Sequence, residues 1–169
     1  MAHSPNERNF YRSPVGWIEI TAQPKGIVTL LYKEPESEIQ PPEGLLADCI
    51  TQLDLYFSGN LKAFNLPLAP YGSPFQLQVW NELVKIPYGQ VITYRDLANR
   101  LHGPTYTRIV GQANAKNPVS ILIPCHRVLG MNGALTGYAG GLWRKKFLLE
   151  LEQKGSRSDF NPTLFDNNQ

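Results

Sequence analysis

The sequence predicts an α+β chain, with a strand-led first portion carrying one helix and a mainly helical second portion built around a helix-turn-helix. β-rich runs are confined to the first 32 residues, whereas helical apolar spacing dominates from Ser73 onward. Between them, Leu66-Pro67-Leu68-Ala69-Pro70 is too rich in proline for a helix interior and reads as a linker. The expected division is an N-terminal α+β domain at 1–70, a C-terminal domain at 71–156 and a frayed, polar tail at 157–169.

Trp17 to Thr21 and Ile27 to Tyr32 are the β-rich runs, and Gln23-Pro24-Lys25-Gly26 between them is a turn signal, so a hairpin is expected. Leu46, Cys49, Ile50, Leu53, Tyr56 and Phe57 recur at helical spacing up to Gly59. Ser73-Pro74-Phe75-Gln76 carries an N-cap serine, a first-turn proline and a glutamine three residues after the cap, which predicts a helix start. That helix should run through Val79, Trp80, Leu83 and Ile86 and end at Pro87 and Gly89. Thr93 is placed to cap a second helix through Leu97 and Leu101, and a third is expected from Thr105 through Ala113. Two short helices joined by His102-Gly103-Pro104 fit a DNA-binding helix-turn-helix or a plain helical hairpin. Val119 to Ile123 is a short apolar run after Asn117-Pro118, read as a buried strand or extended segment, and Leu142 to Glu152 fits a last amphipathic helix.

Hydrophobic residues make up 42% and charged residues 18% of the chain, and no apolar run approaches the roughly 20 residues of a membrane span. Met1 to Tyr11 lacks the basic start and apolar stretch of a secretory signal, so the expected location is the cytoplasm. The net charge of +2 hides an asymmetry. Residues 1–72 hold five Lys/Arg against eight acids, whereas residues 73–156 hold ten against four. Such a split suits a polyanion-binding second domain, although ordinary solvated faces resemble it. The two cysteines, Cys49 and Cys125, are too few for a disulfide framework and lack zinc-finger spacing, so no metal is expected. Cys49 lies on the apolar face of its helix and reads as core.

Cys125-His126 sets a thiol beside an imidazole, with Arg127 next to both. A free thiol near pKa 8.5 needs a base or a positive field to become a nucleophile, and His126 and Arg127 are candidates for both. A bare Cys-His pair is equally the pattern of an inert buried cysteine beside a core histidine.

Ile123-Pro124-Cys125-His126-Arg127-Val128 resembles the signature of the O6-alkylguanine-DNA alkyltransferase family. Thr93-Tyr94-Arg95, Arg108-Ile109-Val110-Gly111-Gln112-Ala113, Asn117-Pro118, Tyr138-Ala139-Gly140-Gly141 and Phe147 to Glu152 stand in the family's order and separations. Gln52-Leu53, Tyr56-Phe57 and Phe64 to Leu68 extend the likeness more weakly into the first domain. The resemblance implies a ribonuclease-H-like N-terminal domain and a winged-helix C-terminal domain. It implies a monomer that flips O6-alkylguanine, with O4-alkylthymine a second candidate lesion, out of double-stranded DNA and takes the alkyl group irreversibly without a cofactor.

On the same ground Cys125 would be the acceptor, His126 would take the thiol proton through a water, and Glu152 would orient the imidazolium, where a lone glutamate otherwise reads as solvated. Tyr94 would donate a proton toward the leaving guanine. Arg108 would fill the gap left by the flipped base, with a phosphate contact as its alternative, and its helix would enter the minor groove. Thr107 and Ile109 flank Arg108 where the family often has alanines. Asn117 would bridge helix and active-site turn, or cap the helix. Thr93, Gln112, Arg127, Val128, Tyr138, Ala139 and Gly140 complete the implied DNA and substrate contacts, the small residues leaving room for the base. Three alternatives stand beside this reading: a lesion-binding protein without transfer, a helix-turn-helix regulator, and a Cys-His hydrolase.

Overall fold

The computed structural model describes residues 6–157. The expected tail therefore lies outside the described residues except for Arg157, as does His3. Three antiparallel strands, β1 (Glu7–Ser13), β2 (Gly16–Gln23) and β3 (Gly26–Tyr32), form a sheet in the order β1-β2-β3. The β2–β3 hairpin is the expected one. Strand β1 was not expected, because two of its inward residues, Asn9 and Ser13, are polar and break the apolar alternation. Both are satisfied: Asn9 donates to the Gln40 carbonyl at 2.9 Å and Ser13 to the Gly16 carbonyl at 2.7 Å. Helix α1 (Gly44–Phe57) buries Leu46, Cys49, Leu53 and Tyr56 and stops before Gly59, as its sequence predicts.

The second portion holds α2 (Pro74–Val84), β4 (Ile92–Thr93), α3 (Tyr94–Leu101), α4 (Thr107–Ala115), β5 (Val128–Leu129) and α5 (Leu142–Arg157). Reciprocal capping boxes start α2, between Ser73 and Gln76, and α3, between Thr93 and Asp96. Helix α4 begins two residues later than expected, since Pro104–Tyr106 forms a tight 3-10 turn first. Helix α5 continues through Gly155 to Arg157, past the expected end at Glu152.

The apolar run Val119 to Ile123 is buried but forms no regular strand. Leu30 of β3 receives it, donating to the Pro118 carbonyl at 2.8 Å and accepting from Ser120 N at 3.1 Å. Ile121 then turns at φ 72°, a left-handed conformation unfavourable to a β-branched residue, and the chain folds back so that Ile123 N reaches the Val119 carbonyl at 3.0 Å. The linker uses the same edge, with Ile27 N donating to the Pro67 carbonyl and Ala69 N to the Ile27 carbonyl, each at 2.8 Å. The free edge of β3 is thus covered by two segments, one of which leads directly to Cys125. One apolar cluster runs from Ile18 and Tyr56 through Trp80 and Leu97 to Val128 and Leu148. No helix among the described residues is long and apolar enough to cross a membrane.

Candidate active site

Cys125–Arg127 is a single 3-10 turn, closed by Arg127 N donating to the Pro124 carbonyl at 3.0 Å. Strand β5 follows at once and pairs in parallel with β4, Ile92 against Val128 and Thr93 against Leu129. This pairing fastens the turn to the start of α3. Asn117, just past the end of α4, donates to the Ile123 carbonyl at 2.8 Å and accepts from Val119 N at 3.0 Å. The helix cap itself is Lys116, so Asn117 is the tie between α4 and the turn. Cys125 is 5% exposed, and burial pushes its thiol above the ordinary value, opposed by the Asn117 amide and the Lys145 ammonium. The resting group is therefore a thiol that needs a base.

An imidazole is beside it in the chain. His126 is fully buried, with Nε2 2.7 Å from Glu152 Oε1, while its Nδ1 is buried without a hydrogen-bond partner among the described residues. Burial holds the imidazole below its usual pKa, against the pull of Glu152 and with the help of Arg127 and Lys145. A neutral ring that donates from Nε2 to a carboxylate presents Nδ1 as a free lone pair.

Glu152 lies on α5 at 1% exposure and accepts five hydrogen bonds. Oε1 takes His126 Nε2, Tyr56 Oη at 2.7 Å and Arg127 Nη2 at 2.9 Å, and Oε2 takes Arg127 Nε at 2.9 Å and Gly89 N at 3.1 Å. Gly89 sits at φ 74°, and a Cβ there would collide with Ser156, so only glycine brings this amide in. Burial alone would raise the carboxyl, but His126 and Arg127 hold it far below the usual range.

Three of the expected DNA or substrate contacts are engaged within the fold. Arg127 is 6% exposed, and its guanidinium is committed to Glu152 and, at 2.5 Å, to the Ile86 carbonyl, because a buried charge must be paired. Val128 is fully buried, and its carbonyl is taken by Lys145 Nζ at 2.6 Å. The Thr93 hydroxyl is engaged in its helix cap, donating to Asp96 Oδ2 at 2.7 Å and accepting from Asp96 N at 3.0 Å.

Tyr94 opens α3, with its ring lying over Gly111 of α4 and its hydroxyl donating to the Thr136 carbonyl at 3.2 Å. Burial raises its phenol, so it stays a proton donor. A groove of about 340 Å³ beside it is lined by Thr93, Tyr94, Arg95, Pro104, Thr107 and Met131. Arg108, Ile109 and Gln112 are exposed together on α4. In the loop before α5, Ala139 is exposed, while Tyr138 Oη is 2.8 Å from Tyr32 Oη of β3. Gly140 is buried, and a Cβ on it would come within 2.4 Å of the Tyr32 ring. Its smallness serves this packing.

Sequence reasoning missed Tyr56, Tyr32 and Lys145. Lys145 was counted only as surface charge, yet it falls on the same α5 face as Leu148 and Glu152, at offsets of three and seven, a spacing that marks a buried position. Tyr56 was read as core, and nothing in its spacing signalled a polar partner.

Residues 74–154 match the family model described as 6-O-methylguanine DNA methyltransferase, DNA binding domain, and residues 8–70 match the ribonuclease-like domain of the same family. The chain belongs to the 6-O-methylguanine DNA methyltransferase family. A family relative from Methanosarcina acetivorans, a methylated-DNA–protein-cysteine methyltransferase, is 43% identical over 148 residues, covering 84% of this chain and 95% of its own. The crystal structure of the Mycobacterium tuberculosis O6-methylguanine methyltransferase superposes with a TM-score of 0.81 at 38% identity, covering 96% of this chain and all of that one. The Mycobacterium tuberculosis family member OGT in complex with DNA gives 0.78 at 37% identity, covering 88% of this chain and 93% of that one. The α+β fold expected from the sequence, a small sheet domain plus a helical one, is the fold of this family.

Proposed function

We propose that Cys125 is the cysteine to which this chain transfers the alkyl group from O6 of guanine, repairing DNA by direct reversal. The supporting observation is the hydrogen-bonded line from Glu152 to His126, ending on an unpartnered Nδ1 one residue from the thiol. Cys49 is a poor rival, fully buried in the core with burial pushing its thiol up to about 12. Transfer from methylated DNA to a protein cysteine is what the name of the relatives states.

His126 takes the thiol proton on Nδ1 through a bridging water, and the thiolate attacks the saturated carbon opposite the oxygen. The sulfur–carbon bond forms as the carbon–O6 bond breaks, and the electron pair goes to the guanine, which takes a proton from Tyr94. The imidazolium proton then makes good the phenol through solvent, so the hydrogen of the thiol ends on the guanine. A thioether has no easy reverse displacement, so each molecule acts once and needs no cofactor. O6 inside a duplex cannot meet a sulfur in line, hence the base is flipped out. Arg108 fills the gap, and Gln112 lies with it on the α4 face entering the minor groove. Tyr138 and Ala139 wall the pocket, Gly140 packing behind them, and Asn117 holds the turn to α4. Arg127, Val128 and Thr93 act from behind, through Glu152, the Lys145 contact and the helix cap. The protein works as a monomer in the cytoplasm, in separate domains at 1–70 and 71–156.

The test incubates the protein with a duplex containing one O6-methylguanine and reads intact mass, followed by peptide mapping. One methyl group on Cys125 is expected, and Cys125→Ser should bind the duplex without losing it to the protein. An adduct at Cys49, or repair by Cys125→Ser at the parent's rate, overturns the proposal. A parallel duplex with O4-methylthymine reads the second lesion.

A further inference from the structure

We infer that Tyr56, on a helix of the first domain, is a positioning residue for alkyl transfer: its hydroxyl on Glu152 sets how strongly that carboxylate draws a proton onto His126. The inference rests on the Cys125–His126–Glu152 reading above. Tyr56 is fully buried on α1, and its Oη lies 2.7 Å from Oε1, the same oxygen that His126 Nε2 meets at 2.7 Å. Two donors sharing one oxygen compete for its electron density, so each weakens the other's bond. The Tyr56 ring is fixed against Phe57, Phe64 and Tyr88, with centroids 5.3, 5.2 and 6.0 Å away. Its hydroxyl therefore arrives at Glu152 from a rigid wall, 96 residues away in sequence. A tyrosine there only to fill space would need no oxygen on a buried carboxylate.

The other groups facing the pair have fixed duties. Arg127 neutralises the carboxylate and also holds the Ile86 carbonyl, Gly89 N comes from the backbone, Tyr88 faces Arg127 and Glu152, and Lys145 acts on His126 from α5. Besides the His126 ring itself, Tyr56 is the one neutral side chain hydrogen-bonded to Glu152 among the described residues, so its hydroxyl can be removed without changing the local charge. Without it, Oε1 returns density to His126, the imidazolium is favoured and the neutral ring that takes the thiol proton is reached only at higher pH.

The test measures single-turnover methyl transfer against pH, at saturating O6-methylguanine duplex, for the full chain and Tyr56→Phe. The half-rise of the rate should move to higher pH by roughly half a pH unit. A merely structural hydroxyl would lower the melting temperature and leave the half-rise in place. Incorporating 3-fluorotyrosine at position 56 keeps ring and hydroxyl but strengthens the donor, so its half-rise should move to lower pH; it decides the matter even if Tyr56→Phe does not fold. Half-rises at the parent's pH, or displaced the other way, overturn the role of Tyr56. A parent that carries its methyl group elsewhere than Cys125 would instead overturn the underlying reading.

Discussion

Lys145 is a cation at full burial whose ammonium is met by the carbonyls of Val128 and Thr136, the latter also holding Tyr94. Burial pushes its pKa down to about 8, partly opposed by Cys125. Because the folded value lies below the unfolded one, the unfolded chain binds more protons between about pH 8 and the ordinary lysine range. The charge therefore opposes folding most below pH 8, and stability is gained as pH rises through that interval. Urea midpoints of the parent should climb there relative to Lys145→Met, whose curve lacks this contribution. Glu152 and His126 set the acid side. Glu152 is depressed, so its stabilisation is complete above the usual carboxylate pKa and lost as pH falls, while His126, also depressed, begins to favour the unfolded chain below its ordinary value near 6.5. Glu152→Gln leaves Arg127 buried without its charge partner, and a loss of about 3–5 kcal/mol in urea unfolding is expected. The sequence could name Cys125, His126 and Glu152 because short motifs carried them. It could not show Arg127 turned inward, since burial of a charge depends on what the rest of the chain brings to it.

Among the elements, the caps were the most legible. The Ser73–Gln76 box and the Thr93 cap are local chemistry, complete within four residues, and both form as read, Asp96 completing a second box around Thr93. Ser73→Ala should cost about 1 kcal/mol, seen as a lower thermal midpoint, with methyl transfer unchanged. Strand β1 and the run Val119 to Ile123 were harder for opposite reasons. The first hides behind inward polar residues that find partners only in the fold, and the second has apolar character throughout but turns at Ile121. In both, long-range contacts overrode the local pattern: the Gln40 carbonyl for Asn9, and Leu30 of β3 for the segment that delivers Cys125.

Over the whole molecule, the first domain reaches the site twice, through Tyr56 at Glu152 and through Tyr32 at the Tyr138 loop. Arg144 reinforces the second contact, its guanidinium 4.5 Å from the Tyr32 ring and donating to the Val15 and Gly140 carbonyls, each at 2.7 Å. Tyr32→Phe should keep the fold but loosen this loop. The expected outcome is faster proteolytic cleavage between Gly130 and Gly141, and slower methyl transfer at subsaturating DNA. None of this was legible beforehand, because no local signal pairs residues 96 or 106 positions apart. The close fit of Gly140 beneath Tyr32 also bears on efforts to re-engineer the protein for bulkier lesions. Any side chain at that glycine would shove the loop off its foundation in the neighbouring sheet, so substitutions meant to vary the loop belong at the solvent-facing Ala139 and Thr136, leaving Gly140 untouched.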